Sequence, residues 1–388
     1  MNKTLLTGAF LCALVTAPCA EYNLKVDLGD SIRPVTHVAS GSLYGVSEDL
    51  PYNIDELVAP LKPNYFKNPA EGANGNQHPF GDAFKVAERL KNTTGKVQLI
   101  FADILPGWPY SWKGWSYWEQ KITEVVNKKL TCGLTNIDGY EIWNEPYGTW
   151  EDSKNGDFKT TLWKPTYELV RKLDPNGRII GPCFSYYNTQ RVEDFFAFAV
   201  NNNCVPDIMC WHQWGSGGIP DAVANYRALE KKYNLTPRPI TINEYSSDKH
   251  ELEGCPGVSV PFIAKFERHG IESAVISWWF VSLPGRLGSL LTSDNEKGGG
   301  WYMYKWYGDM DGYMANVTPP NDKSDGIDGF AAVNKKMKEA SVVIGGNNTG
   351  TVHVNISNVP EFLGSQVNVY YNFDLWVNLR GATCSNLR

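Results

Sequence analysis

From Ser42 to Asp311 the chain alternates short, almost continuously apolar runs with stretches of helical period. The runs Leu43–Val46, Asn64–Lys67, Val97–Phe101, Tyr140–Trp143, Ile179–Gly181, Ile208–Trp211, Ile240–Asn243 and Ala274–Trp278 read as eight strands. Runs without polar alternation suit parallel strands covered on both faces. Between them lie amphipathic segments. In "YWEQKITEVVNKKL" the apolar Trp118, Ile122, Val125, Val126 and Leu130 recur at steps of three and four, which predicts a helix with one buried face. "LDPNG" after Leu173 and Gly270 after "AKFERH" mark helix exits. Eight strand–helix units predict an α/β fold, a (β/α)8 TIM barrel. A doubly wound open sheet is the competitor, but no glycine-rich phosphate loop follows an early strand.

After Gly312 the pattern changes. "TVHVNISNV" and "SQVNVYYNF" alternate and are β-branched, with "GGNNTG" as a turn signal. "YNLKVDLGDSIRPV" near the start reads as strands too. The expected organisation is residues 1–20 as a leader, 21–41 as N-terminal strands, 42–311 as the barrel and 312–388 as a C-terminal β region. The two ends are expected to combine into an accessory antiparallel β-sandwich.

The leader, "MNKTLLTGAFLCALVTAPCA", has one early lysine, an apolar run and small residues at its end. This is a secretory signal pattern, too short to span a bilayer, and it predicts a secreted, extracellular protein. Of eight cysteines, six lie beyond it (Cys132, Cys183, Cys204, Cys210, Cys255 and Cys384). An even number in an exported chain favours disulfides of undetermined pairing. Sequons at Asn92, Asn234, Asn316, Asn347 and Asn355 fit a glycoprotein. The net charge of −6 argues against nucleic acid or an anionic membrane as partner. The 14 Trp and 20 Tyr are the unusual feature. They serve either as core or as flat platforms for the apolar faces of sugar rings.

Two glutamates then stand out. "IDGYEIWNEPYGTW" puts Glu145 just past the fourth strand, and "PITINEYSS" puts Glu244 at the end of the seventh. Barrel chemistry sits at the C-terminal strand ends, and a carboxylate there is costly unless it is used or paired. Two carboxylates across one cleft suit glycosidic bond cleavage. Environment is expected to separate their roles, an aromatic-walled carboxyl keeping its proton and a donor-fed one staying ionised.

"EIWNEP" resembles the acid/base motif of the clan A retaining glycoside hydrolases, and "ITINEYS" is similar to their nucleophile strand. Family 39 and its relatives are most similar, with a barrel and a β-sandwich built partly from the N-terminus. The resemblance implies Glu145 as acid/base, Glu244 as nucleophile and Asn144 as a ligand of the sugar 2-hydroxyl. It makes His212 in "CWHQWG" a neighbour of the nucleophile and Trp278 in "ISWWF" a sugar platform, in preference to Trp279. Tyr245 is a candidate to orient a carboxylate, and Asn68, Asn74 and His78 to bind hydroxyls. Two departures are visible: Lys67 and Asn68 stand where many clan members carry an arginine, and Asn243 stands where family 39 more often has threonine.

The expected function is a secreted retaining β-glycoside hydrolase acting on cell-wall polysaccharide or oligosaccharide, β-xylosidase-like, with a carbohydrate as its partner and no cofactor. An endo-acting β-glucanase or galactanase and a non-catalytic carbohydrate-binding protein are the alternatives. A metal-dependent hydrolase is disfavoured, because the six histidines are scattered in the sequence.

Overall fold

The computed structural model describes residues 19–70, 81–248, 252–276, 285–366, 368–376 and 382–387. Strand β1 (Glu21–Pro34) leads into eight parallel strands: β2 (Ser42–Leu43), β3 (Tyr65–Pro69), β4 (Lys96–Ile100), β5 (Ile137–Glu141), β6 (Arg178–Phe184), β7 (Ile208–Trp214), β8 (Ile240–Ser246) and β9 (Ser273–Ile276). They pair in chain order, and β2 closes the cylinder on β9 through Ser42 and Ile276. This is the predicted barrel, and closure removes the open-sheet alternative. All seven residues of β8 are buried, as a strand covered on both faces requires.

The helix Trp115–Thr131 buries Trp118, Ile122, Val125 and Val126, as the spacing predicts. Leu130 departs from the pattern and is half exposed. The helix Pro256–Arg268 ends ahead of Gly270, whose φ of +72° is a left-handed conformation that glycine adopts without steric cost.

Beyond the barrel follow β10 (Tyr313–Thr318), β11 (Asp328–Asn334), β12 (Glu339–Gly345), β13 (Thr351–Ser357), β14 (Tyr371–Trp376) and β15 (Ala382–Leu387). The two chain ends meet in one five-stranded sheet of order β12-β11-β10-β1-β13, and β14 and β15 form a separate antiparallel pair. One feature corrects the expectation of purely antiparallel pairing. β1 is antiparallel to β10 but parallel to β13, from Glu21 opposite Thr351 to Asp27 opposite Ser357. A single long N-terminal strand, rather than several, fills the slot between C-terminal strands. Its alternation buries Leu24, Val26 and Leu28 against Ala315, Val317, Ala331 and Val333.

The sheet is fastened to the barrel by buried charge. Asp328 on β11 accepts from Lys265 and Arg268 of the helix Pro256–Arg268, each at 2.8 Å, and Lys265 and Asp328 are fully buried. Asp328→Asn keeps an acceptor but removes the charge. It is expected to cost about 1.5–3 kcal/mol, the range for a hydrogen bond to a charged group, read as a lower midpoint in chemical denaturation. An unchanged midpoint would show that the sheet is held by its apolar contacts alone.

In this structure Cys132, Cys183, Cys204 and Cys210 are in the reduced form, so the disulfides expected from the sequence are not shown among them. Cys384 takes part in β15. The leader up to residue 18, and with it Cys12, lies outside the described residues. Among the described residues no helix is long and apolar enough to cross a membrane.

Candidate active site

The site begins with the end of β5. After Glu141 the strand ends, the chain runs on through Ile142, Trp143 and Asn144, and then Glu145 takes φ +50° and ψ +55°. A left-handed conformation at a residue with a β-carbon is sterically unfavourable and persists only where its surroundings enforce it. Here they do. The Glu145 N–H donates to the Cys183 carbonyl at 2.9 Å, and its own carbonyl accepts from the N–H groups of Gly148 and Thr149. Pro146 follows as the first residue of a one-turn helix, a position where its missing N–H costs nothing. The Thr149 hydroxyl ties the turn together, accepting from Trp143 Nε1 at 2.8 Å and donating to the Asn144 carbonyl at 2.6 Å. Trp143 is packed edge-to-face among Trp112, Trp118 and Trp150. These tryptophans are core that braces the turn, so part of the aromatic surplus in the sequence is structural.

Across the cylinder Glu244 lies on β8, opposite His212 of β7 in the strand register. The Glu244 side chain is 2% exposed and that of Glu145 is 14% exposed. His212 is fully buried between them. Its Nδ1 is 2.9 Å from Glu145 Oε1 and 3.6 Å from Glu244 Oε2. One carboxylate oxygen of each glutamate and the imidazole nitrogen lie within 4.8 Å of one another. Nε2 of His212 is buried and has no hydrogen-bond partner among the described residues. With carboxylate oxygens of both glutamates beside Nδ1, that nitrogen carries a proton, whose position is inferred from the network.

The positive charge under the pair is Lys67, on β3 and 1% exposed. Its Nζ is 2.9 Å from Glu141 Oε1 and 3.9 Å from Glu244 Oε1. The first contact is an ion pair rather than an aligned hydrogen bond. Burial works against the ammonium, but the Glu141 and Glu244 carboxylates outweigh it and hold its pKa above the usual lysine value. Lys67 thus supplies the cation at the position where the sequence lacks the clan's arginine. Asn243 donates to the other oxygen of Glu141, which is what an asparagine does there in place of threonine.

Glu145 contradicts one expectation. Burial raises its pKa, but the His212 hydrogen bond and charge, followed by Lys67, bring it below the ordinary carboxylate value. The aromatic wall does not win. Asn144 is buried, and its amide donates to the Tyr110 hydroxyl at 3.3 Å. Tyr110 in turn donates to Asp103 at 3.0 Å, and Tyr44 donates to the other Asp103 oxygen at 2.6 Å. Asp103 is fully buried; desolvation pushes its pKa up to about 6 even though both hydroxyls oppose the rise.

The structure thus brings together Glu145, Glu244, Asn144 and His212 from the predicted set. It does not bring Tyr245 or Asn68 to the cleft. Tyr245 follows Glu244 in the strand and therefore points outward, where its hydroxyl meets that of Tyr304 and its ring packs on Phe262 and Phe266. Asn68 is fully buried and donates to the Val46 carbonyl at 3.1 Å, pinning the loop after β2. Trp278, Trp279, Asn74 and His78 lie outside the described residues. Lys67, Glu141 and Asp103 were missed as partners in this network. Their signal was a charged residue inside an apolar run, in "YFKNP", "GYEIW" and "IFADIL".

Among the described residues two groups of side chains are close enough to hold an ion, Glu145–His212–Glu244 and Glu141–Cys183–Cys210. In both, the Lys67 ammonium already compensates a carboxylate of the set.

No family model matches the chain. It is similar to a solved structure from Neocallimastix frontalis, N2152, with 46% identity and a TM-score of 0.88 over 94% of this chain and 92% of that one. A 3-O-β-L-arabinopyranosyl-α-L-arabinofuranosidase of Bifidobacterium pseudocatenulatum is 25% identical over 85% of this chain, which spans 39% of that enzyme's length. A family 39 β-xylosidase from Caulobacter crescentus shares the fold, with a TM-score of 0.58 at 17% identity over 87% of this chain and 84% of that one. The chain belongs to the same family as N2152 of Neocallimastix frontalis and shares its fold with the family 39 β-xylosidase.

Proposed function

We propose that the chain is a retaining glycoside hydrolase that removes arabinofuranosyl or xylosyl units from plant cell-wall polysaccharide or its fragments. The observation that carries this reading is the approach of Glu145 and Glu244 within 4.8 Å, with His212 between them. Carboxyl groups about 5–5.5 Å apart attack and protonate one anomeric centre directly, whereas inversion leaves room for a water at about 6.5–9.5 Å. Glu244, deep in the barrel beside the Lys67 cation, is the nucleophile that forms the glycosyl-enzyme. Glu145, nearer the surface, protonates the leaving oxygen and then deprotonates the incoming water. His212 favours the ionised form of Glu145, and so helps to set the pH at which this acid loses its working proton.

The sugar assignment draws on the named activities of the relatives. α-L-Arabinofuranosides and β-D-xylosides are both 1,2-trans glycosides, so one nucleophile position serves either. Asn144, held by Tyr110, would meet the 2-hydroxyl. Trp108, 39% exposed and edge-on to Tyr110, offers a ring face near that end of the site. The leader and the sequons support export. Asn92, Asn234, Asn347 and Asn355 lie on the surface, and Asn316 is half-buried.

The test is hydrolysis of an aryl α-L-arabinofuranoside and an aryl β-xyloside, following the first-formed sugar by NMR, with and without a chelator. Retained configuration and chelator-insensitive turnover are expected. Inverted product, or loss of activity on chelation, would overturn the mechanism.

His212→Phe probes the hold of His212 on Glu145. Without the Nδ1 donor only burial and the more distant Lys67 act on Glu145, so its pKa rises. The alkaline limb of the kcat/KM profile, where the acid loses its proton, should then move to higher pH. A limb that stayed in place would assign it to another group.

A further inference from the structure

Two cysteines that the proposed reaction does not use lie directly beneath it. Cys183 on β6 and Cys210 on β7 are fully buried, together with Ile180 and Ile208. Their sulfurs are 2.9 Å apart, well inside the distance at which two sulfur atoms merely touch. Neighbouring strands run about 4.8 Å apart, within the Cα separation of about 4.4–6.8 Å that a disulfide bridges. The register shows how the side chains come to face each other. Pro182 pairs with Cys210 and Phe184 with Trp211, so Cys183 is the extra residue of a bulge, and its φ of +58° is a left-handed conformation at a residue with a β-carbon. Plain alternation along two parallel strands would not set the thiols tip to tip.

We propose that Cys183 and Cys210 are joined by a disulfide in the oxidised protein, forming an inter-strand staple under the catalytic pair. Its presence in the natural protein rests on the export reading given above, but its chemistry can be tested without it. The staple ties together the two supports of Glu145. The Cys183 carbonyl receives the Glu145 N–H, and Cys210 stands two residues before His212, which holds the Glu145 carboxylate. A metal shared by Glu141, Cys183 and Cys210 is the rival. It would set its charge against the Lys67 ammonium, 2.9 Å from the same glutamate.

With a glutathione couple as oxidant, the thiolate of one cysteine attacks glutathione disulfide and releases one glutathione. The second cysteine thiolate then displaces the other. One sulfur–sulfur bond breaks and one forms, the protein loses two electrons to glutathione, and the two thiol protons end on the two glutathiones. Burial raises the pKa of both thiols, so exchange is slow once the barrel has closed and the bond forms during folding.

The full chain is therefore unfolded and refolded in a reduced/oxidised glutathione buffer. Free thiols are then alkylated in denaturant, and the protein is digested without reductant. A linked peptide pair holding positions 183 and 210 is expected, which disappears on reduction. In the intact protein the guanidinium midpoint should fall when the bond is reduced during unfolding. In a Cys183→Ala/Cys210→Ala variant, reductant should leave the midpoint where it was. Complete alkylation of both cysteines, pairing of either one elsewhere, or one equivalent of metal retained by the refolded dithiol would overturn the proposal. Because the readout is a bond, it survives or fails independently of hydrolysis and of export.

Discussion

Glu244→Gln is expected to abolish turnover of every glycoside, while Glu145→Gln loses activity only where the leaving group needs a proton. Both glutamates reach the same His212 nitrogen, but they would act on different atoms of the substrate. Without Glu244 no glycosyl-enzyme forms, and no choice of leaving group repairs that. Without Glu145 the missing step is proton transfer, typically worth about 10²–10⁴-fold. A dinitrophenyl glycoside needs little of it, so its first step should proceed nearly unimpaired and the glycosyl-enzyme should accumulate as a burst. Added azide separates the roles further. In Glu145→Gln it should intercept the intermediate and give a glycosyl azide of retained configuration, whereas in Glu244→Gln it can only attack directly and give the inverted azide. Equal loss in both variants on the activated substrate would sink the role assignment while leaving the fold untouched.

Lys67→Met is expected to cost about 3–5 kcal/mol of stability, as breaking a buried ion pair from one side does, and to damage activity as well. Lys67 faces two carboxylates with almost no solvent, Glu141 at 2.9 Å and Glu244 at 3.9 Å. Removing the cation leaves Glu141 with the Asn243 amide as a remaining donor, and an ionised carboxylate in a barrel interior then becomes expensive. Urea denaturation measures the first effect. The second appears in the acid limb of kcat/KM, where the nucleophile must be ionised and which should move to higher pH. Lys67→Arg restores the charge but has to fit a larger, planar group into the same space, so it should recover part of both losses. A Lys67→Met protein as stable as the parent would mean that Glu141 carries its own proton and that Lys67 is not the counter-charge.

The network around Lys67 shows where reading the chain alone falls short. Lys67, Glu141 and Asp103 each interrupt an apolar run, and a buried charge needs a partner. The need was therefore legible. The partners were not, since residues 67, 141 and 244 are remote along the chain and meet only inside the closed cylinder. Tyr245 illustrates the converse. Its closeness to Glu244 in sequence suggested a role beside it, but adjacent residues in a strand point to opposite faces, and Tyr245 packs on the helix layer. His212 was named as a neighbour of the nucleophile. Its shorter contact is to Glu145, because the register shift between Trp211 and His212 places the ring between both acids.

The chain by itself determined the eight apolar strands in their order, the helices between them and the placement of Glu145 and Glu244 at strand ends. These follow from local periodicity, which acts over a few residues. Only the tertiary structure decided which groups face each other across the mouth, that β1 lies parallel to β13, and that the histidine rather than the tryptophans governs the proton of Glu145. Closure and register set those distances, and both are properties of the whole cylinder rather than of any one segment.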